Sequence, residues 1–211
     1  MTLVGGGGVA AADITESLRL APRLVAADGG ADAALAAGRI PEAVIGDMDS
    51  LTDGARHAIP ASRRHEVTEQ ETTDFDKCLR LIEAPLILAL GFLGGRLDHG
   101  MAALSGLMRA RGRRCLLIGH EDVAFHCPPS LTLNLPAGSR VSLYPLAPVR
   151  VSASGLAWPL DALDLAPGGR LGTSNAASGG AVSITPAAPG LLVILPREAR
   201  EAALAALRPP G

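Results

Sequence analysis

Ala43-Val44-Ile45-Gly46-Asp47-Met48-Asp49-Ser50 is the stretch from which the fold can be read. The apolar run Ala43-Val44-Ile45 has the composition of the end of a buried strand. Two carboxylates then stand two residues apart, where strand gives way to loop. In an open parallel α/β sheet, ligands bind outside the carboxyl ends of the strands. Two close anions repel unless a cation, a proton or a basic partner offsets them, and no Arg or Lys lies within five residues of this pair. The pair therefore reads as half of a Mg²⁺ site, since Mg²⁺ takes oxygen ligands and bridges to phosphate. The ordinary alternative is a polar turn in which Asp49 or Ser50 caps the next helix.

Upstream of this stretch, Thr2-Leu3-Val4 reads as a strand running into the glycines Gly5 to Gly8, which is not a P-loop because no Lys-Ser/Thr follows. Asp13 is placed to cap a helix running to about Leu20. Leu24-Val25-Ala26-Ala27 is the second strand, and Asp28-Gly29-Gly30-Ala31 opens a helix to about Ala37, with small residues that permit close backbone approach. Downstream, Leu51 to Arg64 reads as polar and irregular, and His65-Glu66-Val67 as a short strand. In Thr72-Thr73-Asp74-Phe75-Asp76-Lys77, Thr73 and Asp76 make a capping-box pair, so a helix starts at Asp74. Its core face is Phe75, Cys78, Leu79 and Ile82, with Asp74 and Lys77 together on a second face. Pro85 to Leu90 is a buried strand leading into Gly94-Gly95-Arg96-Leu97-Asp98-His99. Gly94 and Gly95 let backbone approach a ligand, and Arg96 offers a fork of donors suited to phosphate. The helix opened by Asp98 has Met101, Leu104 and Met108 as its expected apolar face, and Cys115 to Ile118 closes the α/β pattern.

After about Cys127 helical periodicity stops. Short alternating stretches parted by Pro and Gly take over: Leu131 to Leu135, Arg140 to Leu143, Val149 to Ala153, Ala181 to Ile184 and Leu191 to Leu195. That is the pattern of a β-sandwich. A terminal helix, Glu198 to Leu207, follows Pro196. The expectation is an open, mostly parallel, Rossmann-like α/β domain over residues 1–126 and a β-sandwich over 127–211.

Composition bounds the function. Of 211 residues 48% are hydrophobic and 2% aromatic, so the core is aliphatic, and the formal charge of -2 argues against a nucleic-acid or anionic-membrane surface. Cys78, Cys115 and Cys127 form no metal-ligand spacing; the first two fall in apolar runs and read as small core residues, which suits a reducing cytoplasm. The first residues lack the basic region of a signal peptide, and the longest apolar run, about residues 84–93, is too short to span a bilayer. Lys77 is the one lysine. Three strand-to-helix junctions carry Asp47/Asp49, Asp74 and Asp98. With Arg96, Lys77 and glycine-lined turns, they fit Mg²⁺-dependent chemistry on a polyphosphate.

At this point the chain resembles the thiamine pyrophosphokinase family. The likeness is carried by Ala27 to Ala31, Gly46 to Ser50, Thr72 to Lys77 and Gly94 to His99, then by Gly155-Leu156-Ala157-Trp158-Pro159-Leu160 and Gly172-Thr173-Ser174-Asn175, in that order over nearly the whole chain. The resemblance implies transfer of a pyrophosphoryl group from ATP to the hydroxyethyl group of thiamine, giving thiamine diphosphate and AMP. It implies an ATP- and Mg²⁺-binding first domain, a thiamine-binding and dimerising second domain, and a cytoplasmic homodimer with active sites at the subunit interface. Asp47, Asp49 and Asp74 would hold Mg²⁺, and Arg96 and Lys77 would offset phosphate charge. Asp98 would orient the hydroxyl or support the metal. Asp28, Gly29, Gly30, Ser50, Thr72, Thr73, Gly94 and Gly95 would line the phosphate edge, and Trp158, Ser174 and Asn175 would contact thiamine. The chain departs from the family's pattern at Met48 (usually Phe), Ala103 (usually Asn), Ala176 (often acidic) and in its terminal helix. The competing expectations are a metal-dependent phosphohydrolase and a thiamine- or nucleotide-binding module without turnover.

Overall fold

The computed structural model describes residues 1–208, and its chain divides into two compact units, Met1–His120 and Glu121–Gly211. The first unit alternates strand and helix. Its strands are β1 (Thr2–Val4), β2 (Leu24–Ala27), β3 (Ala43–Gly46), β4 (Arg64–Glu66), β5 (Ile87–Leu90) and β6 (Cys115–Ile118). They pair in parallel in the order β4-β3-β2-β1-β5-β6. The order reverses between β1 and β5, which makes their carboxyl ends the switch point where such sheets leave a crevice. β1, β2, β5 and β6 are buried along their whole lengths, as a sheet covered on both faces requires.

The helices are α1 (Ala11–Leu20), α2 (Gly30–Ala36), α3 (Asp53–Ala58), α4 (Asp74–Leu81) and α5 (Leu97–Arg109). The capping box at the start of α4 forms as expected. The Thr73 hydroxyl accepts from the Asp76 N–H, and the Asp76 carboxylate accepts from the Thr73 N–H; Phe75, Cys78, Leu79 and Ile82 are buried. Three local expectations are corrected. Asp13 lies in the first turn of α1, whose N-cap is Ala10. Leu51 to Arg64 contains α3 and a 3₁₀ turn, Ala61–Arg63; six residues with one buried side chain, Ala55, carry too little periodicity to show in sequence. Asp98 stands in the first turn of α5, as expected, after Arg96 at the N-cap. The buried face of α5 is Ala103, Gly106 and Leu107, while Met101 is 60% exposed. The reason is close packing on α4. A Cβ on Gly106 would lie 2.9 Å from the Phe75 ring, so α5 meets its neighbour through its smallest residues.

The second unit is antiparallel. Strands β7 (Asp122–His126), β8 (Leu131–Leu135), β9 (Arg140–Pro145), β10 (Val149–Ser154), β11 (Leu160–Leu165), β12 (Gly172–Ala176), β13 (Gly180–Pro186) and β14 (Leu191–Pro196) form two layers. One runs β7-β14-β9-β12 and the other β11-β10-β13-β8. Alternation is plain in β8, where Leu131, Leu133 and Leu135 are buried and Thr132 and Asn134 are exposed. β7, β11 and β12 have no such signal; β12 is Gly-Thr-Ser-Asn-Ala. A 3₁₀ turn, Arg197–Ala199, leads into α6 (Arg200–Leu207), which packs on β8 and buries Ala203, Leu204 and Leu207. Among the described residues no helix is long and apolar enough to cross a membrane.

Candidate active site

Three successive strand–helix connections deliver one acid each. Asp28 follows β2, Asp47 follows β3, and Asp74 is the first residue of α4. One carboxylate oxygen from each lies within 4.8 Å of the others. Oxygens sharing a Mg²⁺ at about 2.1 Å stand roughly 3–4 Å apart, so small side-chain rotations bring the group onto one cation. Asp28 carries the clearest signal. It is buried, and its Oδ2 accepts from the Ser50 N–H at 3.0 Å. Its Oδ1 is buried with no hydrogen-bond partner, an arrangement that a cation among the three acids would satisfy. Burial pushes the Asp28 carboxyl up, the Ser50 hydrogen bonds oppose this, and the Asp74 charge adds to it. The donor set, three carboxylates and no sulfur or imidazole, fits Mg²⁺.

Backbone geometry explains how β3 presents its acid. Met48 has φ 65°, and its side chain turns into an apolar cluster with Ala26, Val44, Leu51, Ala55 and Ile59. The apolar residue between Asp47 and Asp49 is thus a core plug. A Cβ on Gly46 would lie 2.8 Å from the Asp28 side chain and 3.1 Å from that of Asp74, so the strand ends in glycine where the acids converge.

The apparent lack of a basic partner for Asp47 is corrected by α4. Lys77 is 1% exposed, with Nζ 3.0 Å from Asp74 Oδ1 and 3.8 Å from Asp47 Oδ2. Burial by itself lowers its pKa, but Asp74, Asp47 and Glu69 outweigh burial and raise it. Lys77 stays charged. Three carboxylates and one ammonium leave a net charge that a divalent cation matches.

The other expected site residues fall into separate places. Asp49 is not in the three-acid group; its Oδ1 accepts from the Ser50 hydroxyl at 2.9 Å, so Ser50 ties Asp28 and Asp49 together. Arg96 and Asp98 pair with each other at 2.6 Å on an exposed surface. Arg96 holds Asp98 at about 2, so at neutral pH Asp98 is an acceptor and a poor base. Thr73 is occupied as the cap of α4, and the Thr72 hydroxyl donates to Glu69. Gly29 lies beside Ser50, and the room at Gly30 is filled by protein: a Cβ there would sit 2.0 Å from the Val4 carbonyl oxygen. Gly94 and Gly95 take turn conformations, with φ of 99° and 68°, and stand in open space.

Gln70 escaped the sequence reading. Its Nε2 donates to Asp47 Oδ2 at 2.8 Å and is the main cause holding the Asp47 carboxyl below its ordinary value. Glu69, held at about 2 mainly by the Thr72 hydroxyl, fixes the turn that carries it through the N–H groups of Glu71 and Thr72 and through Arg80. An amide just before an acid-bearing helix start was the available signal.

In the second unit a cleft of about 310 Å³ opens between β11 and β12, lined by Trp158, Leu163, Leu165, Arg170, Thr173 and Asn175 among others. Trp158 is 66% exposed, while Asn175 is 7% exposed. Ser174 has φ 60° and its N–H donates to the buried Ser142 hydroxyl.

Comparison with known proteins gives both units a match. Residues 15–118 match the family model described as thiamin pyrophosphokinase, catalytic domain, and residues 125–190 match thiamin pyrophosphokinase, vitamin B1 binding domain. Thiamine pyrophosphokinase 1 of Oryza sativa subsp. japonica is 31% identical over 164 residues, covering 69% of this chain and 62% of that protein. Thiamine pyrophosphokinase 1 of Arabidopsis thaliana is 30% identical over 154 residues, covering 64% of this chain and 58% of that protein. The chain thus spans about three-fifths of the length of these relatives. A thiamin pyrophosphokinase structure from Geobacillus thermodenitrificans superposes with TM-score 0.73 at 25% identity, covering 92% of this chain and 95% of that one. One from Candida albicans, at TM-score 0.77 and 16% identity over 92% and 88% of the two chains, shares the fold. With the acid-bearing unit matched by the catalytic model and the cleft-bearing unit by the vitamin B1 model, the chain belongs to the thiamin pyrophosphokinase family.

Proposed function

We propose that this protein transfers the pyrophosphoryl group of ATP to the hydroxyethyl group of thiamine, giving thiamine diphosphate and AMP. The observation that carries the reading is the convergence of Asp28, Asp47 and Asp74 around an unpartnered buried oxygen, with Lys77 beneath them. In the reaction the thiamine hydroxyl oxygen bonds to the β-phosphorus and its proton is released to solvent. The bond from that phosphorus to the α–β bridging oxygen breaks, and AMP carries that oxygen away. Mg²⁺, when bound by the three acids, would neutralise phosphate oxygens and align the triphosphate. Asp49 and Ser50 shape the rim of that site, and Thr72 and Thr73 fix the start of α4. Arg96 meets the transferred phosphates by exchanging its bond to Asp98 for bonds to them; Asp98 then orients the thiamine hydroxyl through an acceptor oxygen.

In this reading the first unit binds ATP and metal and the second binds thiamine, with the Trp158 face supplying stacking and cation–π attraction to the ligand's rings. The working form is a homodimer whose sites lie at the subunit interface. Exposed Leu97 and Met101 on α5, and exposed Trp158 and Leu171 on the sandwich, are apolar surfaces suited to such burial. The same reading has the enzyme in the cytoplasm, supported by three cysteines that are free and buried. Incubation with ATP, Mg²⁺ and thiamine tests the reaction. AMP and thiamine diphosphate in equal amounts are expected; inorganic phosphate without AMP would make the protein a phosphohydrolase, and neither product would make it a binding module.

A further inference from the structure

We infer that Asn175 is a positioning residue which fixes Trp158 at the mouth of the sandwich cleft and acts on the ligand only through that tryptophan. The inference deepens the proposed thiamine site and rests on it for the ligand's identity. The expectation of a direct thiamine contact meets a simple obstacle: the amide is already engaged. Asn175 Nδ2 donates to the Trp158 carbonyl at 2.7 Å. Its Oδ1 accepts from the Trp158 N–H at 3.2 Å and from the Ala176 N–H at 2.8 Å. Both acceptor sites are used, and one N–H remains on a residue that is 7% exposed. The side chain thus pairs with both main-chain groups of one residue, as a neighbouring strand would.

The sequence arranges this with a bulge. The pairing of β12 with β9 slips between Gly172 and Asn175, and Ser174 takes the left-handed conformation there. Bulges re-aim a side chain. Here the buried Ser142 hydroxyl holds the bulge through the Ser174 N–H, and the following residue, Asn175, is turned inward to the Trp158 backbone. The chain before Trp158 is brought alongside by the bridge between Leu156 and Ala177 and by the Ala157 N–H to the Ala176 carbonyl. The backbone of an indole that is 66% exposed is thereby pinned, although little packs on the ring. A pinned ring binds a flat ligand without first losing backbone freedom.

Trp158 is the only tryptophan, so its emission reports this site alone. Asn175→Ala and Asn175→Asp are compared with the parent by far-UV circular dichroism, time-resolved tryptophan anisotropy and thiamine titration; Asp keeps the acceptor and loses the Nδ2 donor. With the fold retained, both variants are expected to show wider indole motion, and thiamine binding is expected to weaken about tenfold in Asn175→Ala. Adding Asn175→Ala to Trp158→Ala is expected to cost nothing further, because the pair acts as one unit. Unchanged anisotropy in Asn175→Ala, or a further several-fold loss in the double variant, overturns the inference. If Trp158→Ala leaves thiamine binding intact, the thiamine reading of the cleft fails, while the anisotropy still decides whether Asn175 holds Trp158.

Discussion

Of the four non-glycine residues with positive φ among the described residues, three, Asp28, Met48 and Ser174, lie at the candidate site or beside the sandwich cleft. Such conformations cost roughly 1–3 kcal/mol each and persist where the surroundings enforce them. At Asp28 the strain aims a carboxylate at Asp47 and Asp74. Asparagine tolerates this conformation and keeps the bond from Ser50, so Asp28→Asn should fold normally yet bind Mn²⁺ at least tenfold more weakly by electron paramagnetic resonance, a loss of about 1.4 kcal/mol. Asp74→Asn should behave alike. Asp49→Asn, outside the group, should lose less; equal losses at 28 and 49 would show that the metal takes its ligands from both. Asp47 and Asp49 stood out in the sequence because only Met48 separates them, yet only Asp47 joins the three-acid group. That Asp28 joins Asp47 and Asp74 was not legible, since it depends on a left-handed turn and on the register of β2 against β3. Asn175 was named from the sequence as a thiamine contact, but its hydrogen bonds to Trp158 depend on a bulge that the letters Gly-Thr-Ser-Asn do not announce.

Helix α4 carries more of the site than any other element. Its first residue is an acid of the cluster, its Lys77 is the counter-ion, and its Asp76 both closes the capping box and binds Arg109 of α5 through two hydrogen bonds of 2.9 and 2.7 Å. Burial would raise the Asp76 carboxyl, but the Arg109 and Thr73 hydrogen bonds outweigh it and hold the group below its ordinary 3.8. A depressed carboxyl stabilises the fold above its unfolded value, and that contribution is lost as pH falls through the folded value. Arg109→Ala should therefore lower urea stability at neutral pH, and the gap to the parent should close below about pH 3.8; a gap constant down to pH 2 would refute the pairing. The element pattern was readable wherever apolar spacing was long: α4, the buried strands, and the alternation in β8. It failed at α5, where Gly106 packs against Phe75 and Ala103 is buried while the larger Met101 is exposed, a choice that only the neighbouring helix can dictate.

For the whole molecule, the proposed shared site makes a demand that no single chain can meet. Inactive Asp47→Asn and inactive Trp158→Ala proteins, mixed under conditions of subunit exchange, should regain part of the parental rate, because one site of each hybrid has both residues intact. Absence of rescue despite exchange, followed by mass spectrometry, would put both residues in one chain's site. Another whole-chain property follows from Lys77, the single lysine and one that is 1% exposed. The folded surface offers no lysine amine to acylating reagents, so acetylation at residue 77 requires the acid-lined cradle to come apart. Its rate is a clock for that opening, readable by peptide mass without any engineered probe. If Mg²⁺ is held by the three acids, saturating Mg²⁺ should slow the clock, and denaturant should speed it in step with the opening of α4.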